Sequence, residues 1–455
     1  MTVGLFVFHR DLRVQDNTAL LRLFEQVDQV IPIFVFSPHQ VNRRVNHFYN
    51  SHAIQFMCDA LRELDDDTHQ NLCCFYGDET RMVSRLLDQY PITHVGFNLD
   101  YTRYARERTH RLRTLCESKH VQLVLAEDYT LTELDAVRDG EPYVVFKPYH
   151  QAVLRMSIPR PRTVRISAKR WKALPHGTHH RISLSKISTF YTPNPAVIAG
   201  GRHMGKLILS QVGRRFRRYA QTRNTPSIET THLSAHIKFG TVSIREVYHV
   251  FRKTSADLVR QLIWHDFYAQ LMYFLPHART LGKSNFQERR VAWRSIRSGK
   301  GKMWFQKWCD GETGFPIIDA GMRQLNQTGW MHNRVRLLTS NFLALLLGID
   351  WRHGERYFAQ RLVDYDPSSN NGNWQFTAQV GTDRSPYLRI YNPFAQSEKI
   401  DKDAMYIHRW VPELREVQPA KIHRWMETEI DENVDYPAPM CDYATQREEA
   451  QQRYK

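Results

Sequence analysis

The stretch from Asp364 to Trp374, DYDPSSNNGNW, sets two acids, Asp364 and Asp366, and two adjacent amides, Asn370 and Asn371, just ahead of a tryptophan. Upstream, GWMHNRVRL (Gly329 to Leu337) brings Asn333, Arg334 and Arg336 together on a helical spacing. Acids and amides can hydrogen-bond the polar edge of a planar cofactor such as an isoalloxazine, and an aromatic side chain can cover its apolar part. The same run also suits the capped start of a helix, because Asp, Ser and Asn are favoured there. Taken alone it supports both readings equally.

The elements that must position these residues follow from the hydrophobic pattern. The first 130 residues alternate short apolar runs with helical patterns, which predicts a parallel, Rossmann-like α/β layer. Expected strands are Gly4 to Phe8, Val30 to Phe36, Leu72 to Tyr76, His94 to Asn98 and Val121 to Ala126, with helices such as Ser51 to Leu64 and Tyr101 to Ser118 between them. No GxGxxG follows the first strand, so the ordinary dinucleotide fingerprint is absent. FHRDLRVQDNTAL (Phe8 to Leu20) instead places charges at the strand's C-terminal end, where open α/β sheets keep ligands. Periodicity fades over 131–205, where Pro, His and basic residues accumulate, and this reads as a long surface connector. From 206 to 455 the pattern is helical, with strong segments at Ser243 to Phe274, Ile317 to Asn326 and Arg334 to Leu347. The expected architecture is an α/β domain followed by a large all-α domain.

Bulk composition narrows the function classes. No apolar run reaches the ~18 residues of a membrane span; FLALLLGI (Phe342 to Ile349) reads as a buried helix. The N-terminus lacks the order of a signal peptide, so an intracellular protein without membrane association is expected. Cys58, Cys73, Cys74, Cys116, Cys309 and Cys441 show no metal-ligand spacing and read as buried free thiols, and no metal site is expected. The formal net charge of +16 and pI near 9.6 point to a polyanion, nucleic acid first. The excess gathers in Arg160 to Lys172 and in Arg214 to Tyr219. One such cluster is commonly a solvated surface. Two, with 12% aromatic residues, favour DNA or RNA.

Several long blocks in order then give the chain a family likeness: HRDLRVQDN, LSAHIKFGTVSIRE, TGFPIIDAGMRQLNQTGWMHNRVR, DWRHGERYF and NNGNWQFTAQVGTDRSPYLRIYNPFAQSEKID. With these the chain resembles the photolyase/cryptochrome family, and within it the class I cyclobutane pyrimidine dimer photolyases. The resemblance implies a U-shaped FAD in the helical domain. Tyr219 and the run Thr231, His232, Leu233, Ser234 would hold its phosphates and ribitol, and hydroxyl-rich helix starts do suit phosphate oxygens. Asn333, Arg336, Asp364 and Asp366 would line the ring, with Arg336 paired to Asp364. Asn370 would face the flavin N5, where an amide favours the fully reduced, repair-competent state. Trp374, Trp351 and Trp293 match the family's photoreduction chain, in that order from flavin to surface; a single Trp in a helical domain is usually core packing. UV-damaged DNA would be the partner of a monomer. Its lesion would be flipped beside the FAD, and the excited reduced flavin would donate an electron that splits the dimer. Gln261 and Asn333 would hold the base edges, Trp264 and Phe376 would form apolar walls, and Arg334 would bind the lesion strand.

The lesion pocket departs from the class I pattern. Gln261 stands where a Glu is usual, His265 for Arg, Phe376 for a second Trp and Leu337 for Met. Gln can donate and accept hydrogen bonds but supplies no proton. A (6-4) photolyase would need a histidine pair for proton transfer. Those positions are Asn333 and Leu337, so that reaction is disfavoured, and the neighbouring His332 is expected to pack or cap. The other alternative is a cryptochrome-type photoreceptor without repair, against which stand the basic surface and the short segment after the helical domain, Asp442 to Lys455. A second, antenna chromophore, methenyltetrahydrofolate or 8-hydroxydeazaflavin, is open. Tyr104 and Ala105 replace the Asn-Glu pair of folate-binding relatives, which weakens the folate assignment.

Overall fold

The structure, a computed structural model, describes residues 1–137, 140–175, 177–275, 291–382, 387–427 and 434–455. Within the last of the family blocks, the segment VGTDRSPY falls partly on 383–386 and so lies partly outside the described residues. All five expected strands form: β1 (Val3–Phe8), β2 (Gln29–Phe36), β3 (Cys73–Tyr76), β4 (Ile92–Leu99) and β5 (Gln122–Glu127). They pair in parallel in the order β5-β4-β1-β2-β3. VGLFVF of β1 is buried along its whole length and QVIPIFVF of β2 is buried after its first residue. Such near-continuous apolar runs are the mark of strands covered on both faces. Helices on those faces start at side-chain caps: Asn50 for Ser51–Asp67, Asp78 for Glu79–Gln89 and Thr102 for Arg103–Ser118.

Contact density divides the chain into two units, Met1–Arg217 with Thr231–Arg279, and Arg218–Thr230 with Thr280–Lys455. In the first unit the charged turn after β1 is folded inward. Asp11, Arg13, Asp16 and Asn17 are all buried. Asp128 accepts from both Arg13 and Arg245, Asp16 accepts from Arg245 Nε at 2.9 Å and from the Ser243 hydroxyl, and Arg13 reaches the Gly240 carbonyl. Of the charges expected to serve a ligand at the strand end, Arg13 and Asp16 are engaged in this network, while His9, Arg10 and Asp11 line a cavity there with Asn98, Asp100 and Tyr129. Buried charges need partners, and here they lock the β1 turn to residues 240–245.

Three further differences are local. The segment expected to be helical from Ser243 to Phe274 is two helices, Ile244–Phe251 and Ala256–Phe274. The first carries a capping box between Ser243 and Glu246. The segment Arg334 to Leu347 is an α-helix, Asn333–Asn341, followed by a π-helical turn, Phe342–Leu346. Within 131–205 lie a helix, Phe146–Leu154, and a short strand β6 (Arg181–Ile182), which pairs antiparallel with β3.

The second unit has its own core, in which Trp304, Trp308, Phe315, Phe342, Trp351 and Trp374 are all buried. FLALLLGI lies inside it, as expected. Among the described residues no helix is long and apolar enough to cross a membrane. All six cysteines are free, and five of them are buried.

Candidate functional site

The Asp364–Trp374 stretch folds as a turn leading into the helix Pro367–Thr377. Asp366 is its N-cap: Oδ1 accepts from the Ser369 backbone at 2.9 Å and from the Ser368 hydroxyl at 2.6 Å. The capping alternative thus holds for this acid, with Pro367 in the first turn where its missing N–H does no harm. Asp364 pairs with Arg336 Nη2 at 2.9 Å, while Arg336 Nε donates to the Met331 carbonyl at 2.7 Å. The guanidinium is therefore held from two sides. Asn333 is the exposed first residue of its helix. His332, 1% exposed, caps that helix by accepting from the Arg334 backbone, as expected of a packed or capping residue.

One helical turn past Asp366, the Asn370 side chain is buried, and its Nδ2 donates to the main-chain carbonyl of Glu355 at 3.1 Å. A carbonyl only accepts, so the amide's orientation follows: nitrogen toward Glu355, with Oδ1 as the remaining acceptor. Glu355 is 1% exposed, and burial pushes its carboxyl up to about 7. Its Oε1 and the buried Asn371 Nδ2 have no hydrogen-bond partner. Buried polar atoms are normally paired, so this neighbourhood keeps donor and acceptor capacity in reserve. A ring with both kinds of edge, as an isoalloxazine has, fits that remainder.

Trp374 lies on the same helix, 2% exposed, with edge contacts to Phe358 at 5.0 Å and Trp308 at 6.2 Å. It can pack on the helix Trp351–Ala359 because position 354 is glycine: a Cβ there would stand 2.2 Å from the indole Cη2. Trp351, which opens that helix, is fully buried. Trp293 is half-buried and meets Tyr454 edge to face at 6.2 Å. Exposure therefore rises at the last of the three tryptophans.

Other expected residues are divided between the units. Tyr219, half-buried at the start of a short helix, Asn333, Arg334, Leu337 and Phe376 belong to the second unit. Thr231, His232, Leu233, Ser234, Gln261 and Trp264 belong to the first. His232 takes a left-handed backbone (φ 53°) that starts the helix Leu233–Lys238. Arg334 holds Asn224 Oδ1 through Nε and Nη2. Leu337 and Phe376 are both half-buried. Gln261 and Trp264 sit one turn apart on Ala256–Phe274, and Gln261 Nε2 reaches back to the Asp257 carbonyl at 3.3 Å. His265 is anchored to the buried Asp266 at 2.9 Å. Tyr104 is 49% exposed and Ala105 buried, so neither supplies an acid for a folate.

Gly354, which sequence marks as a turn, lies within the helix Trp351–Ala359, and Glu355, Trp308 and Phe146, the last stacked on Trp264, were missed from sequence. The first two stand inside DWRHGERYF, and a glycine within a helical pattern is itself a signal. Trp308 and Phe146 carry none.

Two family models match the chain: DNA photolyase over residues 5–165, and the FAD binding domain of DNA photolyase over residues 258–455. The chain is 33% identical to the deoxyribodipyrimidine photo-lyase of Alkalihalophilus pseudofirmus, with 98% of this chain and 97% of that protein covered. Among solved structures, the archaeal photolyase of Sulfolobus tokodaii, described with two FAD molecules, superimposes with a TM-score of 0.88 at 34% identity. That match covers 100% of this chain and 99% of the other. A class III photolyase of Agrobacterium tumefaciens also gives 0.88, at 28% identity, with 100% and 97% covered.

Proposed function

The chain belongs to the photolyase/cryptochrome family, and from that membership we propose that it is a deoxyribodipyrimidine photo-lyase that repairs cyclobutane pyrimidine dimers in DNA with bound FAD and light. Bound FAD supplies light absorption and a one-electron donor. The chain's own residues hold and tune it. Arg336, fixed by Asp364 and the Met331 carbonyl, and the Asn370 amide flank the ring. Tyr219 and Thr231 to Ser234 bind the phosphates and ribitol. Trp374, Trp351 and Trp293 would supply the electron route by which a bound flavin is restored to its reduced state. On the lesion side Gln261 and Asn333 hold base edges, Trp264 and Phe376 supply apolar walls, and Arg334 binds the strand. UV-damaged DNA is the partner.

The observation that carries this reading is the orientation of Asn370. With Nδ2 committed to the Glu355 carbonyl, Oδ1 is left as an acceptor for a ring N–H. A bound flavin would offer an N–H at N5 in its half-reduced and fully reduced states but not when oxidised, and an amide there, unlike a carboxylate, would not take the proton away. Repair needs the fully reduced state.

The test is to reduce the flavin of the purified protein and illuminate it with oligonucleotides carrying one defined cyclobutane dimer or one (6-4) lesion. Light-dependent restoration of the dimer strand is expected. Restoration of the (6-4) strand alone would move the assignment to that lesion. Restoration of neither, with flavin bound and photoreducible, would leave a photoreceptor.

A further inference from the structure

We propose that Phe146 is a positioning residue for lesion recognition: it backs one face of Trp264 and fixes the plane against which the lesion stacks. The inference rests on Trp264 being a lesion wall. Phe146 opens the helix Phe146–Leu154, in the stretch of chain that composition marks only as a connector. Its ring lies parallel to the Trp264 indole, with centroids 3.5 Å apart and planes within 3°. Most aromatic pairs in proteins sit farther apart or tilted, so this contact is full face-to-face coverage. Phe146 is 4% exposed, whereas Trp264 keeps part of its surface open.

The neighbours make the arrangement rigid. Phe267 meets both rings nearly at right angles, 5.7 Å from Phe146 and 5.6 Å from Trp264. Tyr268 lies 5.6 Å from the indole at 30°. The Arg260 guanidinium, one turn before Trp264, stands 5.4 Å from the centre of the Phe146 ring, a cation–π contact that holds the ring in place. An indole on an exposed helix face has several side-chain rotamers, and selecting one on binding weakens affinity. Here the selection is made in the free protein. The lesion then meets a preset flat surface on the part of the indole that Phe146 leaves uncovered.

Binding by the FAD-loaded protein tests this. Affinity is measured by fluorescence anisotropy for an oligonucleotide with one cyclobutane dimer and for the same sequence undamaged. Phe146→Leu keeps apolar volume but removes the flat face; Phe146→Met is a second ringless variant should leucine disturb folding, which flavin content and thermal midpoint reveal. We expect about three- to tenfold weaker binding of the dimer strand, with undamaged DNA bound as before. The double variant with Trp264→Ala should bind no worse than Trp264→Ala alone. Unchanged or tighter binding by the ringless variants would overturn the proposal, the latter by showing that Phe146 blocks the indole. Full additivity in the double variant would overturn it too. If Trp264→Ala itself loses nothing, the lesion-wall reading fails, a result distinct from failure of Phe146 alone.

Discussion

Glu355 changes charge across neutral pH because burial, outweighing the opposing pull of an Asn370 hydrogen bond and the Arg356 guanidinium, holds the proton on its carboxyl. Its folded pKa of about 7 stands above the ordinary 4.5. The folded protein therefore keeps a proton that the unfolded chain gives up. The stabilisation is full below the unfolded value and is lost as pH rises through 7, a total of roughly 3 kcal/mol. Glu355→Gln removes this dependence. Urea melts of both proteins at pH 5 and pH 8 should show the variant gaining on the parent by that order as pH rises. A constant difference would mean that the carboxyl is solvated or paired in the flavin-loaded protein. Trp374 is tested by electron supply rather than by protonation. Trp374→Phe should slow photoreduction of oxidised enzyme at least tenfold while enzyme reduced beforehand still repairs. Normal photoreduction would remove Trp374 from the chain.

Gly354 matters through the helix pair it joins. Trp351–Ala359 and Pro367–Thr377 approach closely where the Trp374 indole covers position 354, and a Cβ there would also stand 2.5 Å from a Leu343 methyl. Both neighbours are buried, so neither can move away freely. Gly354→Ala should lower stability by about 1–3 kcal/mol, as overpacking does, and displace the indole so that photoreduction slows with it. A melting curve and a photoreduction rate, both at parent level, would show that the pair has slack. Sequence conveys little of this geometry. Of the five parallel strands, β1 and β2 were the most legible, because burial on both faces leaves an unbroken apolar run. The Arg336–Asp364 pair came with the recognisable blocks. The break at residues 252–255 was not legible, since RKTS holds neither Gly nor Pro. The π-turn was not either, because FLALL is apolar at every position and shows no period. Phe146 on Trp264 and Glu355 beside Asn370 depend on distant segments meeting, which no local pattern encodes.

For the whole molecule the excess of cations is the feature that acts at range, but its two clusters differ in use. Arg170 spends its guanidinium on the carbonyls of Phe24 and Val27, and the adjacent Trp171 is buried, so part of Arg160 to Lys172 anchors the chain against the sheet layer. Arg214, Arg215, Arg217 and Arg218 are exposed at and just beyond the end of the helix Arg202–Arg215. Cations there complement the helix dipole, which is a sufficient structural reason for the first two; Arg217 and Arg218 lie past the helix end. If they touch DNA phosphates, each releases counterions on binding, and log affinity falls with log salt by about 0.9 per contact. Replacing both by glutamine should lower that slope by about 1.8 and weaken damaged and undamaged DNA alike. Repair by saturating enzyme should be unchanged, because neither residue is needed to hold the flavin or the bases. An unchanged slope would assign this cluster to solubility and shift the electrostatic footprint to the exposed Arg160, Arg162 and Arg165.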